Sequence, residues 1–145
     1  MPSGVLIDTG PLVAYMSRAD AYHDWAMEQF ELLDPPLITC EPVLAEACFV
    51  VARNGMSPTR VLDFVVNGVL TVALSLQEEV GVVGRLIERY ANVPMSLADA
   101  CLVRMAEMTG LPICTLDADF TIYRAHGRRP LDLISPGFRP GLHEA

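Results

Sequence analysis

Apolar residues run along this chain in two rhythms. Short, β-branched runs alternate with longer stretches in which apolar positions recur at helical spacing. Val5-Leu6-Ile7 reads as a buried first strand, and Gly10-Pro11 opens a helix through about Ser17, with proline in its first turn. A second helix covers about Ala21 to Leu33 and stops at Pro35-Pro36. Leu37-Ile38-Thr39 is the next strand. A helix from about Pro42 to Arg53 follows and closes at Asn54-Gly55. Ser57-Pro58 starts another, which ends near Asn67-Gly68. Leu70 to Leu74 is strand-like, Gln77 to Ala91 helical, and Ser96 to Thr109 a helix stopped by Gly110. Ile113 to Leu116 is a strand, Leu131-Asp132-Leu133 a last short one, and Pro136 to Ala145 an irregular tail. Strands alternating with helices predict an α/β fold whose parallel sheet is covered on both faces.

No repeat, linker or low-complexity block divides the chain, and 145 residues suit one domain with its own core. With 52% hydrophobic residues and a mean hydropathy of +0.35, the composition is that of a globular chain. No run reaches the roughly 18 apolar residues of a membrane span; the best, Val43 to Ala52, is broken by Glu46. Met1 leads almost at once into the first strand, so no signal peptide is expected and the cytoplasm is the expected location. Cys40, Cys48, Cys101 and Cys114 form no CxxC pair and lie in or at the end of apolar runs. They read as small buried hydrophobes rather than zinc ligands.

Four acids fall where such a fold builds sites. Asp8 directly follows the first strand, and Asp117 directly follows Ile113 to Leu116. Glu46 lies in the first turns of the helix after the second strand, and Asp99 in the first turn of the helix opening at Ser96. Sites in open parallel sheets form beyond the carboxyl ends of the strands, at a switch in strand order. Asp8, Glu46 and Asp117 would share that rim, and Asp99 joins them if its helix also starts there. Each acid also has a local explanation. Ser96-Leu97-Ala98-Asp99 fits a capping box, Asp8 can close a turn, and Asp117 and Asp119 bracket one. Glu46 is different. Its neighbours Val43, Leu44, Ala45, Ala47, Cys48 and Phe49 make its helix apolar nearly all round, so Glu46 is expected to be buried and to need a partner.

Carboxylates crowded on one rim repel and raise each other's pKa values. A divalent cation relieves that, and oxygen-only ligation without His or Cys suits Mg²⁺ or Mn²⁺. Such a centre performs phosphodiester chemistry. Thr9 and Thr115, each beside a site strand end, are candidates to orient carboxylates or waters. The net charge of −8 argues against a nucleic-acid partner. Metal-neutralised acids and a local basic cluster, Arg124, Arg128 and Arg129 beside His126, soften that objection.

The same stretches resemble the PIN-domain family. Val5-Leu6-Ile7-Asp8-Thr9-Gly10-Pro11-Leu12 resembles its opening, and Pro42-Val43-Leu44-Ala45-Glu46-Ala47 its single-acid helix. Ser96-Leu97-Ala98-Asp99-Ala100 resembles the third acidic motif, and Thr115-Leu116-Asp117-Ala118-Asp119-Phe120 the last. The order and spacing match over about residues 4 to 134. The resemblance, which extends to the VapC-type toxins of toxin–antitoxin pairs, implies a three-layer fold with a central parallel sheet of strand order 3-2-1-4-5. It implies a metal-dependent endoribonuclease, often a homodimer, inhibited by a cognate antitoxin. Asp8, Glu46, Asp99 and Asp117 carry over as metal ligands and Asp119 as a supporting acid. Tyr123-Arg124 and His126-Gly127-Arg128-Arg129-Pro130 resemble a subgroup's tail, in which Arg124, Arg128 and Arg129 are the candidates for substrate phosphate.

All basic residues are arginine. The missing lysine excludes a phosphorylated receiver domain and counts against a haloacid-dehalogenase-like phosphatase, as does the Thr9-Gly10 that follows Asp8. A P-loop nucleotidase lacks its GxxxxGK[ST]. The remaining alternative is a PIN-like module that binds RNA or protein without cleaving. Leu12, Val13, Tyr15, Met16, Trp25, Met27 and Phe30 on the first helices divide between core and a surface for a second copy or an antitoxin.

Overall fold

Residues 4–137 are described by the computed structural model; of the tail expected to be irregular, 138–145 lie outside it. Strand β1 (Leu6–Ile7) leads into α1 (Thr9–Met16) and α2 (His23–Leu32). Then come β2 (Leu37–Thr39), α3 (Glu41–Arg53), α4 (Thr59–Val66) and β3 (Leu70–Val72). Two helices, α5 (Leu76–Arg89) and α6 (Leu97–Thr109), precede β4 (Ile113–Cys114). A 3-10 turn (Ala118–Thr121), a small hairpin of β5 (Arg124–Ala125) and β6 (Arg129–Pro130), and β7 (Leu133–Ile134) complete the described chain.

The main sheet has the order β3-β2-β1-β4-β7, and every neighbouring pair in it is parallel. Counted among the strands of this sheet alone, that is the expected order 3-2-1-4-5. The hairpin β5–β6 stands apart as an antiparallel pair that the sequence pattern did not reveal. The last strand also starts two residues later than its apolar run suggested, because Ile113 pairs with Leu133.

Alternating side chains split the core in two. Leu6 and Ile113 point into one apolar cluster with α5 and α6; Ile7 and Cys114 point into another with α1, α3 and α4. The sheet is therefore the middle of three layers. Cys40, Cys101 and Cys114 are buried and free, as small core side chains, and Cys48 is half-buried. Of the apolar residues of the first helices, Leu12 and Val13 are core, while Tyr15 and Phe30 stack with ring centroids 4.1 Å apart. Met27 is exposed.

The chain leaves β1 outward through β2 and β3, then returns to the other side of β1 for β4. That return is made by the antiparallel pair α5 and α6. Arg104 of α6 binds Glu79 in the first turn of α5 at 2.8 Å, and Tyr90, just past the end of α5, meets Tyr123 edge-on at 5.0 Å. The chain is thereby delivered to Ser96 at the carboxyl ends of the strands, and α6 runs back from there to β4.

One expectation is overturned. The helix bearing Glu46 is not buried all round. Only Val43, Ala47 and Val51, spaced four apart, are buried, and the opposite side exposes Ala45, Glu46 and Phe49. A helix lying on one face of a sheet needs only a single apolar stripe, so apolar composition alone overstates its burial. Phe49 is 62% exposed, with the Arg53 guanidinium 5.7 Å from its ring centroid. Val51→Ala is therefore expected to cost about 2 kcal/mol in urea unfolding, whereas Phe49→Ala should cost less than about 1 kcal/mol. The reverse ranking would contradict this placement of α3.

Candidate active site

The strand order reverses between β1 and β4, and the crevice there is flanked by Asp8, which follows β1, and Asp117, which closely follows β4. Gly10 helps bring the two edges together. A Cβ at this position would sit 3.2 Å from the Leu116 Cβ, so α1 starts close against the end of β4 because the side chain is missing.

Asp8 is buried and held at both oxygens. Its Oδ1 accepts the Thr9 backbone N–H at 2.7 Å, and its Oδ2 accepts the Thr115 hydroxyl at 2.8 Å. The same Thr115 Oγ1 accepts the Asp117 N–H at 3.0 Å, tying the two strand ends together. Asp117 Oδ1 in turn accepts the Asp119 N–H at 2.9 Å and caps the 3-10 turn. Glu46 reaches the group from α3, where its Oε2 accepts the Thr9 hydroxyl at 3.1 Å.

Asp99 enters through the capping box. The Ser96 hydroxyl accepts the Asp99 N–H at 3.0 Å, and Asp99 Oδ2 accepts the Ser96 N–H at 3.2 Å. The same oxygen accepts the buried Tyr123 hydroxyl at 3.2 Å. Tyr123 was noticed in the sequence only as part of a basic tail. Its contact with Asp99 spans 24 residues, and only the apolar Phe120–Tyr123 spacing hinted at burial.

The electrostatics report the crowding. Burial is the largest influence on Asp8 and raises its pKa from 3.8 to about 7. The hydrogen bonds from Thr115 and Thr9 oppose the rise, while the charges of Asp99 and Asp117 add to it. Asp99 is raised by burial first, opposed by its bond from Ser96, and raised again by Asp117. The Tyr123 phenol is pushed up by burial and then by the fields of Asp99, Asp119 and Asp117. Asp8, Asp99, Asp117 and Asp119 thus share one electrostatic neighbourhood, joined to Glu46 through Thr9.

Among the described residues, no three acidic, histidine or cysteine side chains converge tightly enough to form a ready-made metal cluster. Repulsion and hydrogen bonding account for the spread. Glu46 leans on Thr9, and Asp99 is drawn onto Ser96 and Tyr123. The donor set itself is all oxygen and fits a hard divalent cation: Glu46, Asp99 and Asp117 each have one oxygen fixed by a protein donor and a second that can turn toward an ion.

The basic candidates are not gathered at the acids. Arg124 Nη1 donates to the carbonyls of Thr121, Ile122 and Tyr123 at 2.7, 3.0 and 3.0 Å and so ties down the 3-10 turn. Arg128 and Arg129 are exposed on the hairpin. Arg129 lines a separate cavity of about 310 Å³ with Glu107, Gly110 and Leu111, at the other end of α6.

Residues 5–127 match the model of the PIN domain family. The crystal structure of Mycobacterium tuberculosis VapC20, described as a sarcin–ricin loop cleaving toxin, has the same fold, with a TM-score of 0.73. The two are 21% identical, over 88% of this chain and 100% of that one. No curated protein matches by sequence.

The raised pKa of Asp8 has a definite sign. Below about pH 3.8 the carboxyl is protonated in folded and unfolded chains alike; between there and about 7 the unfolded chain gives up the proton more readily. The fold therefore loses stability as pH rises through that window. In chelator at pH 8, Asp8→Asn should melt several degrees above the parent chain, with little difference at pH 4. A lower melting temperature than the parent at pH 8 would refute the strain assigned to Asp8.

Proposed function

The chain belongs to the PIN domain family, and on that footing we propose that it is a metal-dependent endoribonuclease hydrolysing RNA phosphodiester bonds, the toxin of a type II toxin–antitoxin pair. The observation that carries the reading is the gathering of Asp8, Asp99 and Asp117 at the strand-order switch, where burial first, and the charges of Asp99 and Asp117 in addition, raise the pKa of Asp8 to about 7. Among the described residues no salt bridge joins an arginine to Asp8, Glu46, Asp99 or Asp117, and such a set of acids asks for a cation.

In this reading Asp8, Glu46, Asp99 and Asp117 hold Mg²⁺ or Mn²⁺, with Asp119 in support. When bound, the ion supplies Lewis-acid polarisation of the phosphodiester and offsets the charge that develops as the bond breaks. Thr9 and Thr115 keep the Glu46 and Asp8 carboxylates oriented through their hydroxyls. Tyr123 does the same for Asp99 with a phenolic O–H that it shares between Asp99 Oδ2 and the Pro94 carbonyl. Arg128 and Arg129 meet phosphates further along the strand, and Arg124 braces the turn behind Asp117 while its remaining guanidinium N–H groups face the RNA backbone.

The partners in this reading are single-stranded RNA, a second copy of the chain and a cognate antitoxin, in the cytoplasm. Among the described residues no helix is long and apolar enough to cross a membrane. The exposed apolar side chains of the helices, Met27, Phe49, Leu62 and Val66, offer surface for the protein partners.

The deciding experiment is cleavage of single-stranded RNA with Mg²⁺ or Mn²⁺ against chelator. Asp8→Asn and Asp117→Asn should each lower the rate by at least about 100-fold, and Tyr123→Phe, which removes one orienting bond, by about 10- to 100-fold. Tight RNA binding with no turnover in Mn²⁺ would instead identify a non-catalytic binding module.

A further inference from the structure

An apolar cavity of about 470 Å³ opens beside the carboxylates and shares only Glu46 with them. Leu74 and Ala98 form its buried floor, Leu76 and Leu97 its sides, and Glu41 and Glu46 its charged edge. It is continuous with the candidate active site at two points: Glu46 belongs to both, and Ala98 is the residue before Asp99. Leu97 stands 44% exposed at the start of α6, so an apolar wall faces outward next to a highly charged centre.

We propose that this cavity receives one unstacked nucleobase of the RNA strand whose phosphodiester lies at the carboxylates, a specificity subsite that rests on the nuclease reading above. The lining decides which part of the strand enters. It contains two carboxylates and, among the described residues, no arginine or histidine, so the phosphate backbone is repelled from it. A base is neutral, with two flat faces for Leu76 and Leu97 and a polar edge for Glu41. The volume lies in the range of small-ligand sites. Proteins that read RNA sequence do so on single strands, with bases turned out of the stack into such pockets.

The edge chemistry narrows the base. A carboxylate only accepts hydrogen bonds, and Glu41 on the rim therefore favours bases that present an amino group. Cytosine, adenine and guanine have one; uracil offers carbonyl oxygens on either side of a single N–H. The subsite selects an amino-bearing base next to the cut.

The test measures binding separately from cleavage. The full-length Asp8→Asn chain is titrated with labelled short single-stranded RNAs in Mg²⁺, intact or with one abasic position moved along the strand. The unmodified chain in chelator serves as a second background, should the variant fold poorly. One abasic position should weaken binding about tenfold, as should uracil in place of an amino-bearing base there. Filling the cavity with Leu97→Trp should shrink that dependence below twofold. Equal affinity at every abasic position, a dependence that survives Leu97→Trp, or no RNA binding at all would overturn the proposal. Equal affinities with Leu97→Trp blocking a protein partner would give the cavity to an apolar side chain and overturn it as well. Cleavage is scored in parallel on the unmodified chain: a positional dependence without cleavage keeps the subsite and removes the nuclease, while cleavage without the dependence does the opposite.

Discussion

Asp8 is a carboxyl group sealed between two strand ends, with the charges of Asp99 and Asp117 close enough to act on it. Burial and like charge both favour its protonated form, and two hydrogen bonds, from Thr9 and Thr115, favour the charged one. The surrounding structure can be understood from that conflict. Thr115 serves Asp8 with its proton and Asp117 with its lone pair, so one hydroxyl sets the relative position of two acids on neighbouring strands. Thr9 does the equivalent between Asp8 and Glu46, giving its N–H to one and its hydroxyl to the other. The acids are kept near one another and kept from collapsing together by the same two threonines.

The topology serves the same end. Asp8 and Asp117 are brought together because β1 and β4 are neighbours in the sheet, although 105 residues, 8 to 112, lie between the two strands in sequence. Their adjacency depends on a return connection, and α5 supplies it by running antiparallel to α6. The Arg104–Glu79 pair and the Tyr90–Tyr123 contact fix its direction. The aromatic trio of Phe120, Tyr123 and Tyr90 packs at the point where this return meets the turn after β4. From there the Tyr123 hydroxyl reaches Asp99.

Much of this was legible in the sequence, and the gaps have physical reasons. Helix positions followed from apolar spacing and from breakers such as Pro35-Pro36 and Gly110, and they agree with the structure to within about two residues. Asp8, Asp99 and Asp117 stood out because strand ends and caps are marked by local sequence. The burial of Glu46 was misjudged because composition reports how apolar a helix is and not how many of its sides are covered. The hairpin at Arg124–Pro130 was missed because it has only two residues per strand and little apolar alternation; its turn depends on His126 and Gly127 at positive φ. Tyr123 and the apolar cavity at Leu97 are products of long-range packing, which no local pattern encodes.

The local explanation of the acids is compatible with the functional one proposed for them. Asp99 completes a capping box, Asp117 caps a 3-10 turn and Asp8 caps α1. Each could be dismissed as a terminus device. Yet at Asp99 and Asp117 these bonds engage one carboxylate oxygen and leave the other without a protein donor among the described residues. Capping thus lets rigid backbone orient a carboxylate: the N–H groups at the start of α6 and of the 3-10 turn hold Asp99 and Asp117 in place, as the proposed cation site would require. A carboxylate on a flexible loop would have to give up rotamer freedom on binding and would be free to turn away from its neighbours. Glu46 has no such cap, stands on an exposed helix face and is held by a single hydroxyl, so it is the acid with most freedom to move when charge balance at the centre changes.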